Sequence, residues 1–145
     1  MSRCVHYYAV LDTNVLVSAM LKSDSVPGAI LELALDGNIT PLFNDAILKE
    51  YKEVLCRAKF HLTENIVDAV LQSLRKRGLN MEAEKLDHTE FPDSDDVVFY
   101  EVVMEKRKSE DAYLVTGNLR HFPTKPFVVT PREMLDLILS SQDDL

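Results

Sequence analysis

Short apolar runs alternate with amphipathic segments along nearly the whole chain, and this alternation restricts the fold more than any other feature. Runs that fit buried strands lie at 7–12, 39–43, 111–116 and 127–130. The segments between them have the apolar spacing of helices. Strands that are apolar throughout and alternate with helices are typical of a mainly parallel sheet covered on both faces. The sequence therefore predicts an α/β fold.

Residues that start and stop helices give the bounds of the predicted helices. Asn44 is placed to cap one helix, and Thr63 starts another that ends at Gly78 after three cations. The predicted helices cover 14–21, 26–36, 45–57, 63–77 and 94–106, and a last one begins at 130–133. A weak strand is predicted at 85–89. Pro41 indicates that its strand lies at an edge of the sheet or ends there.

The length and composition predict one domain spanning 1–145, since the chain has 145 residues and 46% hydrophobic content. The formal net charge of −8 argues against a general nucleic-acid binder, because such binding depends on Lys and Arg neutralising phosphates. The same acidity fits solubility, a basic protein partner, or carboxylates gathered at a cation site. Composition alone does not choose among these.

The expected location is the cytoplasm. Cys4 and Cys56 are not spaced as a disulfide framework or a metal site, which favours a reducing compartment. The N-terminal apolar stretch is too short for a signal peptide, and no segment approaches the roughly 20 apolar residues that span a bilayer. No membrane association is expected.

Several polar residues fall where the predicted sheet would have its ligand crevice, beyond the carboxyl ends of the strands. Asp12 ends the first strand, Asn118 follows the 111–116 strand after one glycine, and Asp96 lies at the start of the preceding helix. Helical phase places Glu50 on the margin of an apolar face and makes Asp96 the inward acid of its cluster. Converging inward carboxylates repel one another, and a hard divalent cation is the usual resolution.

Each of these residues also has an ordinary interpretation. Asp12 could simply cap the following helix, and the acids of 93–96 would favour the positive end of a helix dipole. Glu50 alone would be a solvated helix residue. Asn118 would be a turn residue that bonds local backbone.

Four stretches resemble the PIN-domain nucleases, in order and in the expected structural contexts. They are "VLDTNVLVSAML", "ILKEYKEVL", "DSDDVVFYEV" and "DAYLVTGNLRHF". The resemblance extends to the toxin components of bacterial toxin–antitoxin systems. It implies a three-layer α/β/α sandwich around a parallel sheet. It also implies a Mg²⁺- or Mn²⁺-dependent ribonuclease with a protein antitoxin as partner and a homodimeric state.

Carried over by matched positions, the resemblance implies that Asp12, Glu50 and Asp96 are catalytic metal ligands. The fourth ligand position, often Asp in the family, is Asn118 here, whose carbonyl oxygen can bind Mg²⁺ but carries no charge. Residues that would support the ligands are Thr116, Asn14 and Asp93. Residues that would contact RNA are Arg120, Lys125 and Arg57.

Two functions follow as hypotheses. The first is an endoribonuclease that cleaves RNA phosphodiester bonds as the toxin of a toxin–antitoxin pair. The alternative is a catalytically weak or inactive PIN-fold module that acts by binding RNA or protein, motivated by Asn118 and the net charge. A phosphatase or phospho-receiver fits less well, because "DTN" lacks the second acid that such phosphatases have two residues on.

Overall fold

A central parallel sheet organises the protein, and the computed structural model describes it over residues 6–86, 91 and 94–143. In this part of the chain the strand order is β3-β2-β1-β4-β5, and every paired neighbour is parallel. The strands are β1 (Tyr7–Leu11), β2 (Ile39–Phe43), β3 (Leu79–Asn80), β4 (Ala112–Val115) and β5 (Val128–Val129). The predicted α/β class and its α/β/α layering are confirmed.

Six helices cover the sheet in the described residues. They are α1 (Thr13–Leu21), α2 (Val26–Asp36), α3 (Asp45–Leu55), α4 (Glu64–Arg77), α5 (Val97–Arg107) and α6 (Pro131–Asp143). Helix α5 packs across β1, β2 and β4, whereas α2 packs against β2, α1 and α6. None of the helices described is long and apolar enough to cross a membrane.

The centre of the sheet is buried because helices cover it. Val10 and Leu114 are 0% exposed, and they are partners in the β1–β4 register. This explains why both strands are apolar throughout and do not alternate with polar residues.

The capping residues predicted from the sequence are found at the helix ends. The Asn44 side chain accepts a hydrogen bond from Ile47 N at 2.9 Å and so begins α3. At α6, Thr130 and Glu133 bond each other's backbone N–H groups at 3.1 and 2.9 Å, the reciprocal arrangement of a capping box.

Two predicted helices differ from the structure by more than one residue at an end, and one predicted strand is not found in the residues that the structure describes. Helix α3 ends at Leu55, two residues early, because Arg57 N bonds Val54 O and tightens the chain into a turn. The helix predicted at 94–106 begins with a 3-10 turn, Ser94–Asp96, before α5. The strand predicted at 85–89 lies partly outside the described residues, and 85–86 is not a strand.

The third strand is instead β3, which pairs with the end of β2. This makes β2 an interior strand of the sheet, but the side of β2 that faces β3 has no paired strand at Pro41. Pro41 is tolerated because β3 pairs only with Leu42 and Phe43, so no ladder bond on that side needs an N–H from Pro41.

Gly78, between α4 and β3, permits a close approach to β2. A Cβ at this position would lie 2.2 Å from Pro41 O and 2.6 Å from Cε2 of Phe43. Because Gly78 has no side chain, the chain that leaves α4 can pass close to β2 and form β3.

We expect Gly78→Ala to lower the free energy of unfolding by about 1–3 kcal/mol, because the added methyl group overpacks against backbone. Urea denaturation would measure the loss. Gly117→Ala is the matched control and should leave the unfolding midpoint nearly unchanged: the added Cβ would lie 3.4 Å from Asn14 Oδ1, an ordinary van der Waals contact, and Gly117 is not left-handed. An unchanged unfolding midpoint in Gly78→Ala would contradict this account of the close approach.

Candidate active site

Asp12 lies at the carboxyl end of β1, and both its backbone and its side chain form hydrogen bonds. Its backbone N–H donates to Val115 O of β4 at 2.9 Å. Its side chain is 5% exposed. Oδ1 accepts from Thr13 N at 2.8 Å, and Oδ2 accepts from Thr116 Oγ1 at 2.7 Å and Asn14 Nδ2 at 3.2 Å. Asp12 therefore caps α1 and is also fixed by the residue that follows β4.

Burial raises the pKa of the Asp12 carboxyl above its ordinary value. The hydrogen bonds from Thr116, Thr13 and Asn14 and the nearby His121 act in the opposite direction but do not cancel this effect. The ionised form of Asp12 is therefore less stable than that of a solvated aspartate, and a neighbouring cation would favour it.

Glu50, on α3, is joined to Asp12 through one residue. Thr13 Oγ1 donates to Glu50 Oε2 at 2.5 Å, while the backbone N–H of Thr13 bonds Asp12. The next residue, Tyr51, donates its hydroxyl proton to Leu11 O at 2.5 Å and holds α3 against β1. The pKa of Tyr51 is raised well above its ordinary value, first by burial and then by the charges of Asp12 and Glu50. Both carboxylates therefore lie close to the same phenol.

Asp96 is the inward acid at the start of α5. It occupies the N-cap position, but its side chain makes no capping bond. Its neighbour Asp95 is exposed, whereas Asp96 is 9% exposed. Asp96 Oδ2 lies 3.0 Å from Nδ1 of His121. The helix-dipole interpretation therefore does not account for where the Asp96 carboxylate points.

Asp12, Glu50 and Asp96 line one open cleft of about 450 Å³, which we call the acidic cleft. A fourth acid, the exposed Asp95, also lines it, as do Arg57 and His121. Within the described residues, no three His, Cys, Asp or Glu side chains are already placed to hold one metal ion. The structure thus brings the three acids to a common cleft without a preformed ligand cage. Their oxygen atoms are the donors that Mg²⁺ and Mn²⁺ prefer, so the residues fit such an ion chemically.

Asn118 lies beside the acidic cleft and does not line it. Its backbone N–H donates to Thr116 Oγ1 at 3.0 Å. Its side chain lines a neighbouring cleft of about 330 Å³ with Asn14 and Gly117. Its Nδ2 is 2.9 Å from Nε2 of His121. Asn118 is therefore linked to Asp96 only indirectly, through His121, which contacts both.

His121 lies between Asn118 and Asp96 and contacts both. Its Nε2 lies 2.9 Å from the Asn118 amide, and its Nδ1 lies 3.0 Å from Asp96 Oδ2. Either ring nitrogen can donate or accept, according to the tautomer. The imidazole therefore links the turn that contains Asn118 to the start of α5.

The other residues predicted from the sequence to support the site or contact RNA do not all lie at the acidic cleft. Asn14 joins the two strand ends, since its Nδ2 bonds Asp12 and its Oδ1 accepts from Gly117 N at 3.1 Å. Arg120 and Lys125 are exposed and are not among the residues that line the acidic cleft. Asp93 lies outside the described residues.

Several residues of the acidic cleft were indicated only weakly by the sequence or not at all. His121 lies near the predicted site in the sequence and could touch substrate, but a surface position was favoured for it, although its spacing three residues after Asn118 suits a contact within one 3-10 turn. Phe60, which also lines the cleft, was not named from the sequence. The one pattern that could have indicated it is an aromatic residue within the basic stretch "RAKFH".

Comparison with known protein families gives a match to the PIN domain over residues 8–120. This span runs from β1 to the turn that contains Asn118, and it includes Asp12, Glu50 and Asp96. No curated protein and no solved structure matched the chain. On the family match and the parallel α/β/α fold, the chain belongs to the PIN-domain family, whose members are generally nucleases.

Proposed function

We propose that this protein is a divalent-metal-dependent endoribonuclease. One observation carries the proposal: carboxylates from three separate elements, Asp12, Glu50 and Asp96, line one cleft at the carboxyl edge of the parallel sheet. Ligand sites in open α/β sheets lie at this edge. Three acids in one cleft repel each other, and a cation among them would relieve that repulsion.

In this proposal Asp12, Glu50 and Asp96 hold the ion, and their neighbours orient them. When bound, Mg²⁺ or Mn²⁺ lowers the pKa of coordinated water and stabilises charge on phosphoryl oxygens. Thr116 and Asn14 fix Asp12, whereas Thr13 fixes both Asp12 and Glu50. His121 Nδ1 lies 3.0 Å from Asp96 Oδ2 and would limit the rotation of that carboxylate.

The biological setting is also a proposal. The resemblance of the four sequence stretches to toxin components supports a role as the toxin of a toxin–antitoxin pair. A cytoplasmic homodimer restrained by a protein antitoxin would suit that role.

A second candidate is a PIN-fold module with little or no catalysis that acts by binding RNA or protein. It is favoured by the neutral Asn118, which lies outside the acidic cleft, and by the lack of a preformed ligand cage in the described residues. Measurement of cleavage separates the two candidates.

We expect purified protein with Mn²⁺ to cut single-stranded RNA, and Asp12→Asn to lower the rate by at least about 100-fold, since a ligand charge is lost. Gel analysis of a labelled RNA would measure this. Asp24→Asn is the control, because Asp24 is exposed and does not line the acidic cleft. Equal cutting by wild type and Asp12→Asn would indicate a contaminating nuclease and reject the proposal.

Asp12 also links metal binding to stability. Burial raises the pKa of Asp12 in the folded protein above its value in the unfolded chain, so ionised Asp12 lowers the stability of the metal-free fold. The full loss of stability is reached when the pH is above the pKa of the folded state. At neutral pH we expect metal-free Asp12→Asn to melt no lower than wild type. Mn²⁺ should raise the melting temperature of wild type but not of the variant. An equal rise in both proteins, measured by calorimetry, would show that Mn²⁺ binds elsewhere.

Asn118 and His121 should act as one unit on Asp96. We expect Asn118→Ala and His121→Ala each to weaken Mn²⁺ binding about 10-fold, and the double variant to be no weaker than either single one. Titration calorimetry of all four proteins would measure this cycle. Additive losses would instead show that Asn118 binds the metal independently of His121.

A further inference from the structure

We propose that the acidic cleft contains a nucleotide subsite in which the Phe60 ring stacks on a base of single-stranded RNA and the Arg57 guanidinium binds an adjacent phosphate. This inference rests on the proposed function and names the residues that would hold the single strand. It assigns to Phe60 a role that the acids cannot supply, because they repel the RNA backbone.

Phe60 forms part of the wall of the cleft. It is the last residue of the 3-10 turn Ala58–Phe60, and it lines the same cleft as Asp12, Glu50 and Asp96. Its side chain is half-buried, yet it is not among the partly buried hydrophobic side chains that pack against the core. Its ring therefore offers aromatic surface to the cleft, which Val17 and Val54 also line.

Positive charge adjoins this ring. Arg57 immediately precedes the turn, is exposed and lines the acidic cleft. Lys59 Nζ lies 5.1 Å from the centroid of the Phe60 ring. No ion pair joins Arg57 or Lys59 to another residue in the described part of the chain. Lys59 thus covers one face of the Phe60 ring and a base would stack on the other, while the Arg57 guanidinium is available to a phosphate.

The turn presents the ring and the guanidinium together. Phe60 N donates to Arg57 O at 3.0 Å, and His61 N donates to Ala58 O at 3.1 Å. His61, at φ 56°, then adopts the left-handed conformation that redirects the chain toward α4. These backbone bonds fix the spacing of Arg57 and Phe60, as a stacking platform beside a phosphate contact requires.

An aromatic ring flanked by cations is the usual recognition element for single strands. Bases stack on such rings without sequence preference, while cations contact the backbone. In a duplex the bases stack on each other and their faces are not accessible. The subsite therefore selects single-stranded RNA and positions it over the three acids.

A tryptophan at position 60 would report stacking directly, because the chain contains no other Trp. Phe60→Trp would be titrated with a single-stranded RNA of about eight nucleotides, with EDTA present to prevent cleavage. We expect saturable quenching of the fluorescence by the single strand and none by the matching duplex. Leu139→Trp, on exposed α6 surface, is the control and should show no saturable quenching. Quenching absent at position 60, or equal at both positions, would overturn the proposal.

A second measurement does not depend on the tryptophan. In metal-free fluorescence anisotropy with the same RNA, we expect Phe60→Leu to weaken binding about 10-fold and Phe60→Tyr to retain it, since only Tyr keeps the aromatic face. Arg57→Gln should weaken binding and lower the salt slope by about 1. Wild-type affinity in Phe60→Leu would overturn the stacking role. Because binding is measured without metal, this failure is distinguishable from a failure to cleave RNA.

Discussion

The parallel pairing of β1 with β4 is the constraint on which the acidic cleft depends. Both strands end at the same edge, and the pairing continues one residue further, since Asp12 N donates to Val115 O. The next residue of β4, Thr116, is thereby placed with its hydroxyl on the Asp12 carboxylate. If β1 and β4 were not adjacent, residues 104 positions apart would not share this bond. The acid site is thus a consequence of strand order.

Glu50 is held at this edge by two hydrogen bonds. Thr13 donates to the Glu50 carboxylate, and Tyr51, the next residue of α3, donates to the last carbonyl of β1. The fold therefore gathers negative charge in a place where burial already disfavours ionisation of Asp12. A structure that fills its cleft with carboxylates is less stable without a cation than with one. A cation bound among these carboxylates would therefore stabilise the fold through Asp12.

Much of this arrangement could be predicted from the sequence, because it follows from local pattern and from one rule of topology. Apolar runs identify β1 and β4, and parallel strand ends meet at one edge, which brings Asp12 and Thr116 together. Strand β3 was not predicted, since two exposed residues, Leu79 and Asn80, show no pattern. The contact of His121 with Asp96 was also missed, because it joins a turn to a helix that only tertiary packing brings together.

Asn118 is better explained by its partner than by comparison with aspartate. Its amide lies 2.9 Å from Nε2 of His121, whose Nδ1 faces Asp96. An amide has both a donor and an acceptor, so it can bond Nε2 whether or not that nitrogen carries a proton, whereas a carboxylate at position 118 could only accept. Asparagine therefore suits either tautomer of His121, and it adds no further negative charge to an edge that already gathers acids. On this argument the two residues are matched, and the neutral side chain at 118 does not imply a loss of function.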